Sequence, residues 1–250
     1  MSNNLKNKVA YITGGSKGIG LGVAQNLLAQ GMKVAISSRS LVAAEQAAVY
    51  LGNGENVLAV ESDVSRFEAE KAAIEKVIAR FGQLDVLVAN AGVGHFAPID
   101  ELSVDDWKST IDTNLTGVFN SVKASIEFLK KSEGYIITIA SLAGANFFEG
   151  GAAYNASKFG LVGFSQAIML DLRKHGIKVT TIMPGSVATY FNDHVPNDSD
   201  NWKIQPEDIG ELVSDLLHMH PRTLPSKIEV RPSQPGGNSR GQLPFPLKQK

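Results

Sequence analysis

The feature that most limits the folds open to this chain is an alternation. Short runs rich in Val, Ile and Ala recur from end to end, separated by longer stretches with helical periodicity. The runs lie at residues 9–13, 34–37, 57–61, 86–89, 135–140, 179–183 and 227–230. The helical stretches lie near 20–30, 41–51, 67–80, 104–129, 153–175 and 206–218. Strands that alternate with helices pair in parallel, because each crossover helix carries the chain back to the same end of the sheet. The segment Asp85-Val-Leu-Val-Ala89 is apolar after its first residue without alternation, which suits burial on both faces. The expected fold class is therefore α/β: one doubly wound domain over residues 1–233, its parallel sheet flanked by helices. A polar tail rich in Pro and Gly at 234–250 is expected to be flexible or to wrap the surface. Ser103 with Asp106 reads as an N-terminal cap, Gly176 as a C-terminal cap, and Pro206 as the first residue of the last helix.

Composition removes several function classes. At 250 residues, with 43% apolar and 20% charged side chains, the chain has the makings of one large soluble domain. A net charge of −1 and scattered basic residues give nucleic acid or an anionic membrane nothing to bind. There is no cysteine, so disulfides, thiol catalysis and thiolate-bound metals are excluded. His218-Met-His220 lacks the H-E-x-x-H spacing of a helical zinc site, and no metal is expected. The polar N-terminus is unlike a secretory signal, and no apolar run reaches the roughly 20 residues a bilayer demands. The expectation is a cytoplasmic protein acting on a small molecule.

The first strand runs into Thr13-Gly-Gly-Ser-Lys-Gly-Ile-Gly20, where a helix begins. Glycines there permit a tight turn, and that turn brings backbone N–H groups to a pyrophosphate at the helix N-terminus. The spacing of Gly14, Gly18 and Gly20 differs from G-x-G-x-x-G, and such glycines can serve the turn alone. Standing in the first strand-to-helix connection favours phosphate binding by Gly14, Ser16, Lys17, Gly18, Ile19 and Gly20. A carboxylate about 20 residues on would hold the 2′-hydroxyl of NAD(H). The sequence there reads Ser37-Ser38-Arg39-Ser40, and the first acid is Glu45. Ser38 and Arg39, with Lys17, suit a 2′-phosphate, so NADP(H) is favoured over NAD(H).

Tyr154-Asn-Ala-Ser-Lys158 sets a phenol and an ammonium one helical turn apart on a shared face. Reduction of a carbonyl needs a proton donor and donors aimed at the developing alkoxide. Free tyrosine ionises near 10, and a neighbouring ammonium lowers such a value by roughly 1–3. Lys158 is expected to act on Tyr154 in this way.

The ordered set Thr13-Gly14-x-x-x-Gly18-x-Gly20, Asp63-Val64, Asn90-Ala91-Gly92, Asn114, Ser141, Tyr154-x-x-x-Lys158 and Pro184-Gly185 with Thr189 resembles the short-chain dehydrogenase/reductase family over about residues 6–230. The resemblance implies a Rossmann-like domain whose seven parallel strands run in the order 3-2-1-4-5-6-7. It implies that Tyr154 is the general acid of reduction and that Lys158 also holds the nicotinamide ribose. Ser141 would donate to the substrate oxygen, and Asn114 would hold a water in a relay through Lys158. Asp63 would accept from the adenine amino group with Val64 beside it, or cap the next helix. Asn90, Ala91 and Gly92 would flank the adenosine ribose. Pro184, Gly185, Val187 and Thr189 would border the nicotinamide. Family members are usually tetramers joined through the helices at 104–129 and 153–175, so a homo-oligomer is expected.

Two departures touch the substrate. The sequence after 231 lacks the usual glycine-rich ending, and the lid region 189–205 is polar, which favours a small or flexible carbonyl compound over a steroid. Phe147, Phe148 and Phe191 are candidates to line the pocket. The leading expectation is reduction of a ketone, aldehyde or 3-oxoacyl compound. The alternatives are an NAD(H)-dependent alcohol or polyol dehydrogenase and a non-catalytic dinucleotide-binding regulator. A related epimerase would need a sugar-binding region for which the chain has no room.

Overall fold

The computed structural model describes residues 4–52 and 54–234, so all of the expected tail except Gln234 lies outside the described residues. Seven parallel strands form one sheet in the order β3-β2-β1-β4-β5-β6-β7. They are β1 (Val9–Ile12), β2 (Lys33–Ser38), β3 (Val57–Glu61), β4 (Val86–Ala89), β5 (Tyr135–Ile139), β6 (Lys178–Pro184) and β7 (Lys227–Val230). Every residue of β1, β4 and β5 is buried, as their unbroken apolar runs require, whereas the edge strand β7 is partly exposed.

The helices are α1 (Gly18–Ala29), α2 (Leu41–Tyr50), α3 (Phe67–Phe81), α4 (Val104–Ile111), α5 (Gly117–Ser132), α6 (Ala152–Leu172) and α7 (Pro206–His218). Successive strand residues point to opposite faces, so the sheet separates two apolar cores. Ala10 and Ile12 join Val23, Leu27, Val213 and Leu216 of α1 and α7 on one face. Val9 and Tyr11 join Ile74, Val77, Val118 and Leu161 of α3, α5 and α6 on the other. Glycines bring α1 and α7 unusually close: a Cβ on Gly22 would stand 2.5 Å from the Pro206 carbonyl oxygen, and one on Gly210 would stand 2.6 Å from that of Gly22.

The expected caps form. Ser103 accepts from Asp106 N–H at 3.0 Å, Gly176 takes φ 74° after the turn Arg173–His175, and Pro206 opens α7 behind a Gln205/Asp208 capping box. One element differs from expectation. The stretch 104–129 is not a continuous helix, because the π-helical turn Asp112–Thr116 separates α4 from α5. That turn buries Asn114 beneath the end of β4, and Gly117 follows it where a Cβ would meet Val64 Cγ2 at 2.6 Å. Such turns are rare and tend to mark functional sites.

The chain reverses its direction across the sheet between β1 and β4, which are neighbours although β2 and β3 lie beyond β1. In an open parallel sheet the carboxyl ends of the strands diverge at that point and leave a crevice. Among the described residues, no helix is long and apolar enough to cross a membrane.

Candidate active site

The crevice opens into a cleft of about 2700 Å3 along the carboxyl ends of the strands. At its floor, the turn after β1 is held by contacts only glycine permits. Gly14 has φ +64°, and a Cβ there would lie 2.9 Å from Ala91 Cα. Gly20 has no room either, since a Cβ would lie 2.6 Å from both Asn90 Nδ2 and the Gly14 carbonyl oxygen. Asn90 Nδ2 donates to the carbonyls of Thr13 and Gly14 at 2.9 and 3.1 Å, and Thr13 Oγ1 accepts from Asn90 and Ala91 N–H, both at 3.0 Å. Asn90 and Ala91 thus brace the turn from the neighbouring strand, and Gly92 lines the cleft beside them.

Gly14, Ser16, Lys17, Gly18 and Ile19 line the cleft, whereas Gly20 lies behind them as packing. Helix α1 begins at Gly18 with no side-chain cap and no acidic residue in its first turn. Its first N–H groups and the positive end of its dipole therefore suit a pyrophosphate, which satisfies the chemistry a dinucleotide demands here.

At the ends of β2 and β3, Ser38, Arg39, Asp63 and Val64 all reach the cleft. Ser40 caps α2 by accepting from Ala43 N–H at 3.3 Å. The carboxylate opposite Ser38 in register, Glu61, is exposed and does not line the cleft. Asp63 does not cap α3, whose N-cap is Arg66; its Oδ1 instead accepts from Ser65 N–H at 3.0 Å and Ser65 Oγ at 2.7 Å, closing a local turn. Asn120 Nδ2 donates to the Val64 carbonyl at 2.8 Å and ties this loop to α5.

At the other end of the cleft, α6 presents Tyr154 and Lys158, which are 9% and 4% exposed. Lys158 Nζ stands 5.6 Å from the centre of the Tyr154 ring and donates to the Ile139 carbonyl at 3.0 Å. Ser141, just past β5, also lines the cleft and accepts from Ala143 N–H at 3.1 Å. The ionisation of the pair runs opposite to the sequence-based expectation. Burial pushes the Tyr154 phenol up to about 12, with only a hydrogen bond from Ser141 opposing it. Burial likewise draws the Lys158 ammonium down to about 8. Desolvation disfavours the charged form of each group, and it sets the direction of both shifts.

Asn114 does not line the cleft. It is fully buried, and both its amide hydrogens are in use, donating to the Val93 carbonyl at 2.8 Å and Ser157 Oγ at 3.0 Å. Its Oδ1 accepts from Val93 N–H at 2.8 Å. The side chain therefore clamps the loop after β4 to α6 in the first place. Sequence reasoning passed over two positions inside the Tyr-to-Lys motif itself. Ser157 links Asn114 to the Tyr154 carbonyl through a bond of 2.8 Å. Asn155 Nδ2 donates to Ala143 and Asn146 carbonyls, both at 2.8 Å, and so fixes the loop that carries Ser141. Their place between Tyr154 and Lys158 in the motif is the signal the sequence offers.

Pro184, Gly185, Val187 and Thr189 form the wall beyond β6. Gly185 N–H donates to Val230 at 2.8 Å, Val187 bridges to Ile204, and Thr189 Cγ2 stands 3.3 Å from where a Gly18 Cβ would be. Phe191 continues from this wall to within 5.7 Å of the Tyr154 ring, and Phe148 also lines the cleft. Phe147 does not: it is 86% exposed and points away. Phe96, absent from the sequence-based candidates, sits edge-on to Tyr154 at 5.4 Å. The loop behind Phe191 is knotted around Asp200, which takes His194 Nε2 and Lys203 Nζ, each at 2.6 Å. Burial raises this carboxyl, but the bonds from Lys203 and His194 prevail and hold it at about 2.

A doubly wound sheet with glycine-braced phosphate space at its switch point and a proton-bearing Tyr at the far end of one cleft defines a nucleotide-binding oxidoreductase. A family model described as short chain dehydrogenase matches residues 8–200, and the chain belongs to that family. Trans-4-hydroxycyclohexanecarboxylate dehydrogenase of Sinomonas cyclohexanicum is 38% identical over 76% of each chain. The 3-oxoacyl-[acyl-carrier-protein] reductase FabG of Escherichia coli is 37% identical over 74% of this chain and 76% of its own. Among solved structures, an alcohol dehydrogenase of the archaeon Thermococcus sibiricus complexed with 5-hydroxy-NADP matches with a TM-score of 0.86, 29% identity and coverage of 95% and 100%. The seven-stranded parallel order implied by resemblance is the one observed.

Proposed function

We propose that this protein reduces a ketone, aldehyde or 3-oxoacyl compound with NADP(H), using Tyr154 as the proton donor. The observation that carries the reading is the convergence of Tyr154, Lys158 and Ser141 in one cleft with a glycine-braced phosphate site. NADPH, when bound, would supply the hydride. Ser141 orients the substrate oxygen by donating to it, and Tyr154 delivers its phenolic proton as negative charge builds there. A phenol held at about 12 is fully protonated at neutral pH, so it is loaded for reduction without prior adjustment. Lys158, still largely protonated below about 8, stabilises the phenolate left behind and reaches the nicotinamide ribose. Asn114 supports Lys158 by tying the loop after β4 to α6, which carries the lysine, and would hold a relay water toward it. Asp63 and Val64 receive the adenine, with Asn90, Ala91 and Gly92 along its ribose.

Preference for NADP(H) rests on Arg39 and Lys17 lining the cleft and on the absence of a carboxylate at residues 37–40. Related structures carry both cofactor types. A short-chain oxidoreductase from a metagenome is in complex with NADP, whereas a 3-ketoacyl-(acyl-carrier-protein) reductase from Brucella melitensis is complexed with NADH. Use of NAD(H) is therefore the second reading. We further assign residues 1–233 to one domain holding both cofactor and substrate, in a cytoplasmic homo-oligomer. Exposed Phe119, Phe159 and Leu170 on α5 and α6 support assembly through those helices.

The test is a panel of ketones, aldehydes and uncharged 3-oxoacyl esters, with loss of reduced-cofactor absorbance followed for NADPH and NADH in parallel. Turnover of panel members with NADPH ahead of NADH is expected. Tight NADPH binding without turnover of any member would favour the non-catalytic regulator instead.

A further inference from the structure

The two ends of the cleft differ in charge. At the phosphate end stand Lys17 and Arg39. At the Tyr154 end the lining carboxylates are Glu101, Asp106, Glu149, Asp193 and Asp198. The other basic groups there are already paired: His95 lies 3.2 Å from Asp106, His194 and Lys203 both bind Asp200, and Arg231 binds Glu229 at 3.0 Å, while Lys158 is buried beside Tyr154 and donates to the Ile139 carbonyl rather than to a carboxylate. Among the described residues, Glu101, Glu149, Asp193 and Asp198 form no ion pair, and all four are exposed. They come from three separate connections, after β4, β5 and β6, so the negative charge surrounds the mouth rather than marking one segment.

Inside that mouth the surface is aromatic. Phe96 stands 5.4 Å from Tyr154 and 5.8 Å from Phe148, and Phe191 stands 5.7 Å from Tyr154. Gly94 makes this packing possible, since a Cβ there would lie 2.5 Å from Phe191 Cζ and 2.8 Å from Phe96 Cζ. The lid region 189–205, polar in composition, contributes Phe191 to a box of rings around the proton donor. Such a box favours a compact apolar body next to the carbonyl and penalises a carboxylate stripped of water.

We propose, resting on the carbonyl-reductase reading, that the substrate is an uncharged, compact apolar carbonyl compound, and that Glu101, Glu149, Asp193 and Asp198 discriminate against anionic ones. The chain thereby differs in selectivity from its relatives whose names specify a carboxylate or a carrier-protein thioester. One unit charge about 10 Å away in water changes a binding constant about twofold, so four together give roughly tenfold. That ratio shrinks to about twofold at 0.15 M salt, where the screening length is about 8 Å.

The probes are 4-oxocyclohexanecarboxylate and its methyl ester, which share a ring and a ketone and differ in charge. Each is titrated calorimetrically into the NADP+-loaded protein, where no turnover occurs, and each is then assayed for reduction with NADPH. The ester is expected to bind and react roughly tenfold better at 10 mM ionic strength and about twofold better at 0.15 M. E101Q/E149Q, and separately D193N/D198N, should each narrow the low-salt ratio about threefold. Equal or tighter binding of the carboxylate, absence of ester binding, or a ratio blind to salt and to both variants overturns the proposal. If the binding ratio holds while neither ketone is reduced, charge selection stands and the reductase reading falls.

Discussion

Replacing Lys158 by Met should abolish reduction yet make the fold more stable at neutral pH. Burial lowers the Lys158 ammonium from 10.5 to about 8. At about 1.4 kcal/mol per factor of ten, keeping that proton in the folded state costs about 3 kcal/mol at pH 7. The Ile139 carbonyl loses its donor in the variant, at about 1 kcal/mol, which leaves a net gain of about 2 kcal/mol. For a chain of this length that corresponds to a rise of about 4–8 °C in Tm. The sign of the pH dependence is fixed by linkage. Between about 8 and 10.5 the unfolded chain binds the proton that the folded protein has released, so wild-type stability climbs with pH across that window. The variant's net gain should fall to about 1 kcal/mol at pH 9 and vanish or turn slightly negative by pH 10.5. Urea unfolding of both proteins at pH 7, 9 and 10.5 measures the difference directly. A variant less stable at pH 7, or a gain that does not decline with pH, would refute the claim that burial governs this lysine.

Three further outcomes follow from separate parts of the structure. Arg39→Ala should weaken NADP(H) about ten- to hundredfold, the worth of a charged hydrogen bond, while NAD(H) changes less than about threefold; parallel fluorescence titrations decide. Gly20→Ala should destabilise by about 1–3 kcal/mol and weaken dinucleotide binding, because its Cβ would meet the backbone of Gly14 and the Asn90 amide at 2.6 Å; denaturant midpoints and cofactor titration test both. Burial raises the Glu70 carboxyl above 4.5, so the folded protein keeps that proton to higher pH than the unfolded chain and loses stability as pH rises through the raised value. Glu70→Gln should therefore gain on the wild type as pH rises from 4.5 toward neutrality; a constant difference would show that Glu70 titrates alike in both states.

What could be read from the residues alone was whatever is local or periodic. Val86–Ala89 announces a strand buried on both faces, and Tyr154 with Lys158 declares a shared helical face, because each is a spacing along the chain. The π turn at Asp112–Thr116 was hidden, since it depends on partners distant in sequence: Val93 and Ser157 for Asn114, and Val64 for Gly117. The direction of the Tyr154 shift was hidden for a similar reason. Proximity of Lys158 is written in the motif, but the burial that raises Tyr154 depends on partners distant in sequence, Phe96 and Phe191 among them. Phe147 and Phe148 were indistinguishable as neighbours in an irregular loop, and the structure turns one outward and the other in. Glu61 shows the converse case, a carboxylate adjacent to Ser38 only through strand register and not through sequence.

The account rests on proton delivery by the Tyr154 hydroxyl, and Tyr154→Phe removes that oxygen while keeping the ring against Phe96 and Phe191. The decisive measurement is single-turnover oxidation of NADPH by a ketone the wild type reduces, alongside the NADPH dissociation constant. A fall in rate of about 10²–10⁴ with binding unchanged within about twofold is expected. A rate within about threefold of wild type would contradict the central claim and return Tyr154 to a packing role.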